Sequence, residues 1–222
     1  VKANAYGHGS QPVALALEQA GATMLAVADI EEAIVLRRAG VRVPILIFGA
    51  LSVSDLDGLF EFSLTPTIST PSAALAVQAA AAARGTSIPY HLKIDTGMNR
   101  LGFRHDNLRW TLPALLGSPN LALDAVYTHF ASAEVTDGTA FDDQRLRFER
   151  ALEIVGALGG APRLRHACNS AALLRDSRVW YDMVRPGLLL YGIVPPPLAS
   201  MIPLRPVMSL TSRVVAVKGL RP

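Results

Sequence analysis

The chain opens Val1-Lys2-Ala3-Asn4-Ala5-Tyr6-Gly7-His8-Gly9. A β-branched apolar residue is followed at once by a lysine, then by a loop of small and polar residues. Pro12 and the apolar run Val13, Leu15, Ala16, Leu17 predict a helix directly afterwards. Strand end, loop and helix in that order make one βα unit. A lysine at the carboxyl end of its strand sits where an α/β barrel places its chemistry. Gly7 and Gly9 permit close backbone approach to a bulky ligand, and Tyr6 could reach an anionic group on it. Composition alone reads Lys2 as a solvated loop residue, because unpaired lysines are almost always exposed.

Working outward, strand-like and helix-like segments alternate, which predicts a parallel sheet. Thr23–Ala28 reads as a buried strand, and Asp29 with Glu32 as the capping signature of a helix that runs to Gly40. Pro44–Phe48 is a continuously apolar strand. Ser54–Phe60 is a weak helix, Leu64–Ile68 a weak strand, and Thr70-Pro71 opens an alanine-rich helix ending near Gly85. Ile88–Ile94 and Leu121–Thr128 are strands. Asp106–Leu116 reads as a helix interrupted at Pro113, and Thr139–Leu158 as the longest helix. Arg163–Ala167 and Met183–Arg185 complete the strands. With Val1–Ala3 as the tail of a first strand, about eight β-units result, the number in a TIM-type (β/α)8 barrel. An open doubly wound sheet is disfavoured, because no glycine-rich G-x-G-x-x-G turn follows the first strand.

The barrel is assigned to residues 1–192 and a proline-rich linker to 193–206. Residues 207–222 are the start of a truncated, β-rich second domain, since Val207–Lys218 alternates and is β-branched. The expectation is that both ends are cut, with any signal peptide beyond view.

Half of the 222 residues are hydrophobic and 18% are charged, which describes a globular protein with a sizeable core. Net charge is +3 with no lysine/arginine block, against a nucleic-acid partner. The uncharged run Ser63–Ala83 and the segment Pro186–Leu204 are both broken by prolines, against a membrane span. The single cysteine, Cys168, forms no internal disulfide and suits a reducing, cytoplasmic compartment.

Four further stretches fall at predicted strand ends. In Lys93-Ile94-Asp95-Thr96-Gly97-Met98-Asn99-Arg100-Leu101-Gly102, a lysine inside an apolar strand is costly unless paired. Asp95 could pair it or cap the loop, and a salt-bridged turn is the plain reading. His129 follows the next strand, where a lone histidine usually plays a structural part. In His166-Ala167-Cys168-Asn169-Ser170, Ser170 caps a helix or helps hold a phosphate. Arg185-Pro186-Gly187-Leu188 ends the last strand, the place where barrels commonly supply a phosphate site.

Together these motifs resemble the alanine racemases: V-K-A-N-A-Y-G-H-G, K-x-D-T-G-M-x-R-x-G and R-P-G-x-x-x-Y-G recur in the family's order, from Lys2 to Tyr191. The resemblance implies interconversion of L- and D-alanine, supplying D-alanine for peptidoglycan, with pyridoxal 5'-phosphate as cofactor and no metal. It implies that Lys2 carries the cofactor as a Schiff base and serves as base on one face of the substrate. Tyr6, Asn169, Ser170, Gly187 and Leu188 hold the cofactor, and Arg100 holds substrate. Lys93 is a candidate for carbamylation. Arg185 faces the ring nitrogen, oriented by His129 and His166; a guanidinium cannot accept a proton, so that nitrogen stays unprotonated. The resemblance also implies a homodimer in which the second domain of a partner completes the site, so residues 1–222 alone are expected to be inactive. A serine or broad-specificity racemase and a non-catalytic cofactor-binding barrel are the alternatives.

Overall fold

A computed structural model describes residues 1–51, 56–198 and 203–219. Seven parallel strands form its centre: β1 (Leu25–Val27), β2 (Ile45–Ile47), β3 (Thr65–Ile68), β4 (Ile88–Asp95), β5 (Phe103–Arg104), β6 (Leu121–Tyr127) and β7 (Leu164–His166). Their order is β1-β2-β3-β4-β6-β7, with the short β5 on the end of β4. The helices are α1 (Lys2–Tyr6), α2 (Ser10–Gln19), α3 (Ile30–Arg38), α4 (Leu56–Glu61), α5 (Pro71–Ala83), α6 (Leu108–Thr111), α7 (Pro113–Leu116), α8 (Ala140–Ala157), α9 (Ser170–Arg175) and α10 (Gly187–Leu190). Parallel neighbours joined by helical crossovers give a half-barrel among the described residues. It is consistent with the TIM-type barrel expected from the sequence, with fewer strands than the eight counted there.

The local rules work where capping is strong. Asp29 accepts a hydrogen bond from Glu32 N at 2.8 Å, and Arg37 and Arg38 close α3 at its negative end. Thr70 Oγ1 accepts from Ala73 N at 3.1 Å with Pro71 in the first turn of α5. The apolar faces of these helices bury Leu36, Val77 and Ala81 against Ile45, Ile47 and Leu92, all at most 1% exposed. Pro113 splits its predicted helix into α6 and α7, because it cannot donate within the helical ladder. The start of the weak helix, residues 54 and 55, lies outside the described residues.

Three expectations need correction. Val1–Ala3 is not a strand: Val1 donates to Ala26 O at 2.8 Å on the free edge of β1, and the chain then turns into α1. Met183–Arg185 forms no strand either. Only the two ends of this stretch reach β7 and its continuation, Asp182 N to Arg165 O and Arg185 N to Cys168 O. Tyr181 in the left-handed region and Pro186 bound it on either side. Finally, Val207–Lys218 is not a strand among the described residues. Val207 N donates to Tyr191 O, but no strand among the described residues pairs with the segment, and Val215 is 95% exposed.

α1 is an unusual turn. Ala3, Asn4, Ala5 and Tyr6 all have φ between 50° and 55°, a left-handed run that costs L-residues about 1–2 kcal/mol each. Side chains hold it. Glu32 Oε1 accepts from Ala3 N at 2.6 Å, Glu32 Oε2 accepts from Ala28 N at 2.8 Å, and Asn4 Oδ1 accepts from Ser10 N at 2.8 Å. The carboxylate that sequence assigns to a capping box thus fastens the lysine turn to β1. Glu32→Ala is expected to destabilise the protein by about 1–3 kcal/mol, the range for hydrogen bonds to a charged group. The check is a denaturant melt, with proteolytic sensitivity gained near Lys2; an unchanged midpoint and digestion pattern would refute the fastening role.

Candidate active site

A cavity of about 530 Å³ opens where the strands end. Its walls bring together ten residues singled out from sequence: Lys2, Tyr6, Lys93, Arg100, His129, Asn169, Ser170, Arg185, Gly187 and Leu188. His166 is not in the wall but bonds Arg185. Phe48, Tyr127 and Glu134 also line it and were not foreseen. Lys2 is exposed rather than buried, its Nζ 6.0 Å from the centre of the Tyr6 ring.

Arg185 is the best-fixed group. Nη1 donates to His166 Nδ1 at 2.7 Å; Nη2 donates to Thr128 O at 3.1 Å and Ala167 O at 3.0 Å, and lies 3.4 Å from His129 Nδ1. Its Nε–H has no acceptor among the described residues. No carboxylate touches it, and burial brings it down to about 10, so it remains cationic at neutral pH. The imidazoles beside it are held neutral. Burial, then the Arg185 charge, brings His129 down to about 3 and drives His166 well below its ordinary range. His166 stacks on Tyr127 at 4.5 Å.

These histidines give a pH dependence with a definite sign. His91 and His129 titrate near 4 and 3 when folded, against 6.5 for an ordinary histidine. The unfolded chain therefore binds more protons below pH 6.5, and stability falls as pH falls through that window. Unfolding followed by calorimetry between pH 7 and 4 should show proton uptake rising toward at least two. Uptake that stays at zero would contradict the neutral assignment.

Lys93 is 4% exposed and lies 4.7 Å from the centre of the Tyr127 ring. Burial first, then Arg185 and Arg100, bring it down to about 7. The salt-bridged turn does not form. Asp95 spends Oδ1 on Gly97 N and Asn99 N, at 3.0 and 3.1 Å, and so caps the loop that carries Arg100. Gly102 anchors that loop's far end: at φ 124°, a Cβ there would lie 2.7 Å from Asp95 N.

The remaining wall suits an anion. A Cβ on Gly187 would lie 2.9 Å from Tyr6 Oη, so a larger residue there would displace the hydroxyl from its seat against α10. Asn169, not Ser170, caps α9, accepting from Ala172 N at 2.9 Å. This leaves the Ser170 hydroxyl accepting from Leu189 N at 3.3 Å. Gly187 N–H is committed to Arg185 O, so among the two expected amides Leu188 is the better placed to bind a ligand. A phosphate-bearing pyridine fits this set: hydroxyl and amide donors at one end, and a spare guanidinium N–H at the other.

The sequence model described as "Alanine racemase, N-terminal domain" matches residues 1–195. The chain belongs to the alanine racemase family. The alanine racemase of Carboxydothermus hydrogenoformans is 42% identical, over 98% of this chain and 60% of its own length. That of Desulforamulus reducens is 40% identical with the same coverage. Among solved structures, the Bacillus anthracis alanine racemase with bound L-Ala-P superposes with a TM-score of 0.84 at 38% identity, covering 93% of this chain and 54% of that one. The Clostridium difficile alanine racemase in complex with cycloserine gives 0.89 at 30% identity, covering 93% and 57%. The chain thus spans about 60% of the curated alanine racemases it matches. No described helix is long and apolar enough to cross a membrane, and no described cluster of histidine, cysteine or carboxylate could hold a metal ion.

Proposed function

We propose that the protein is a pyridoxal-phosphate-dependent racemase that interconverts L- and D-alanine and supplies D-alanine for peptidoglycan in the cytoplasm. The observation that carries this reading is the convergence of Lys2, Tyr6, Arg100 and Arg185 on one cavity, from three separated segments. Tyr6, Ser170 and Leu188 N–H would hold the phosphate, with Asn169 and Gly187 shaping that end. Lys2 would hold the aldehyde carbon, and Arg185 the ring nitrogen. When bound, this group supplies the electron sink that makes the substrate Cα–H acidic.

The chain's own residues do the rest. Arg100 binds the substrate carboxylate, fixing which face of Cα is presented to Lys2. Lys2 Nζ takes or returns the proton on that face. Arg185, permanently charged, gives the ring nitrogen a donor it cannot deprotonate. The half-site here serves one face of Cα; a homodimer supplies the other, from a domain beyond the linker 193–206. The division of the chain into residues 1–192, 193–206 and 207–222 belongs to the same reading.

Lys93 completes the electrostatics. As an ammonium it would stand among Arg185 and Arg100 with only the weaker influence of Asp95 to offset them and no salt bridge among the described residues. A carbamate on Nζ would instead pair with Arg100 through two oxygens. Near pH 7 much of Lys93 is the free amine, whose nitrogen can attack carbon dioxide and release a proton to water. In ¹³C-bicarbonate the full-length protein should show one carbamate carbonyl signal, absent in Lys93→Met. A spectrum lacking the signal would remove this role.

The function is tested by incubating the full-length protein and its cofactor with L-alanine, L-serine and other amino acids, then separating enantiomers. Formation of D-alanine fastest of all supports the reading. Preference for serine would move it to a related racemase, and no racemisation at all would favour a cofactor-binding barrel.

A further inference from the structure

The contacts of Arg185 do not stop at His166. His166 Nε2 lies 3.0 Å from His91 Nδ1, and on the other side of that ring His91 Nε2 lies 3.4 Å from Asp124 Oδ2. Both imidazoles are 0% exposed, whereas the Asp124 side chain keeps 19% of its surface. His91 Nε2 completes no well-formed hydrogen bond among the described residues; the Asp124 carboxylate at 3.4 Å is the polar group it faces. The row therefore runs from the cavity through the strand layer to a carboxylate in the middle of β6.

The direction of this row is forced. Arginine can only donate, so His166 must present a lone pair on Nδ1. A neutral His166 then carries its proton on Nε2 and donates to His91 Nδ1. His91 must in turn carry its proton on Nε2, aimed at Asp124, which as a carboxylate can only accept. Each tautomer is set by its neighbour, with an obligate donor at one end and an obligate acceptor at the other. A second observation shows that the backbone is shaped for this contact. Tyr90 pairs with Leu123 and His91 with Ala125, so β6 bulges at Asp124. Bulges re-aim a side chain, and they are rare between parallel strands.

We propose that Asp124 and His91 are positioning residues for Arg185, fixing both histidine tautomers so that His166 accepts from the guanidinium. The row is a property of the apo protein; only its usefulness to the reaction rests on the proposed function. The plain alternative is that Asp124 serves its surface pair with Arg163, at 2.8 and 3.0 Å. Arg163 is 65% exposed, and such pairs contribute little.

The test uses the full-length protein labelled with ¹⁵N in histidine and arginine, free of cofactor, as wild type, Asp124→Asn, Asp124→Leu and Arg163→Gln. Long-range proton–nitrogen spectra read each tautomer, and hydrogen exchange reads how firmly the Arg185 N–H groups are held. In the wild type His91 and His166 should both be Nε2–H forms. Both Asp124 variants should shift the His91 ring nitrogens toward a tautomer mixture and speed Arg185 exchange about 10- to 100-fold, the loss of one hydrogen bond to a charged group. Arg163→Gln should leave both readouts unchanged. An Nδ1–H form of His166 in the wild type would overturn the proposal. So would equal effects of the Asp124 and Arg163 changes, which would reduce Asp124 to its surface pair, or unchanged rings in both Asp124 variants while they remain folded.

Discussion

Replacing Lys2 with alanine in the full-length protein should lower alanine racemisation by at least about 10²–10⁴-fold, the typical worth of a general acid–base group. The same change should remove the reducible link to pyridoxal phosphate. Borohydride treatment of the wild type, followed by peptide mapping, is expected to leave the pyridoxyl group on Lys2. Two other lysines offer a comparison: Lys93 lines the same cavity but is only 4% exposed, while Lys218 is exposed. Label on either of them, with Lys2→Ala still active, would displace Lys2 from the centre of the site. The structure gives a reason to expect a sharp result. Lys2 stands on a left-handed turn tied by Glu32 and Asn4, so its backbone is fixed although its side chain is open to the cavity. Strain of this kind persists only where surrounding contacts over-determine it, and such contacts cluster at functional sites.

The second large effect is expected at Arg185, and in the kind of reaction as much as in its rate. Arg185→Glu puts a group that can share a proton where a permanent donor stood. A protonated ring nitrogen draws more charge into the ring, so transamination should rise relative to racemisation, with racemisation itself falling at least tenfold. The product ratio and the visible spectrum of the holoenzyme give the answer. An unchanged ratio in a folded Arg185→Glu variant would mean that this guanidinium does not control the ring nitrogen. Arg185→Gln separates charge from proton sharing: it should lose rate without gaining transamination. The three donor contacts of Arg185, to His166, Thr128 O and Ala167 O, explain why the wild-type guanidinium cannot swing away.

Sequence by itself determined the parallel α/β architecture and the addresses of the site. Patterning located β2, β3, β4 and β6 and the helices between them, because a strand buried on both faces must be continuously apolar and a helix must begin at a cap. The motifs located ten residues that tertiary structure gathers around one cavity. Patterning failed where local preference was overruled. Ala3 and Ala5 are good right-handed helix formers, yet they adopt left-handed angles because a carboxylate 27 or more residues away captures their turn. Val207–Lys218 has strand-like residues, but a strand exists only against a partner. Sequence put Ser170 in competition for the helix cap; the structure gave the cap to Asn169 and so released the hydroxyl. Only tertiary structure could show that Lys93 has no salt bridge among the described residues, that Tyr6 Oη rests against Gly187, and that Asp124 is linked to Arg185 by two imidazoles. Each depends on distances between segments far apart in the chain. Periodicity reports which face of an element is buried, and it carries no information about which polar groups meet there.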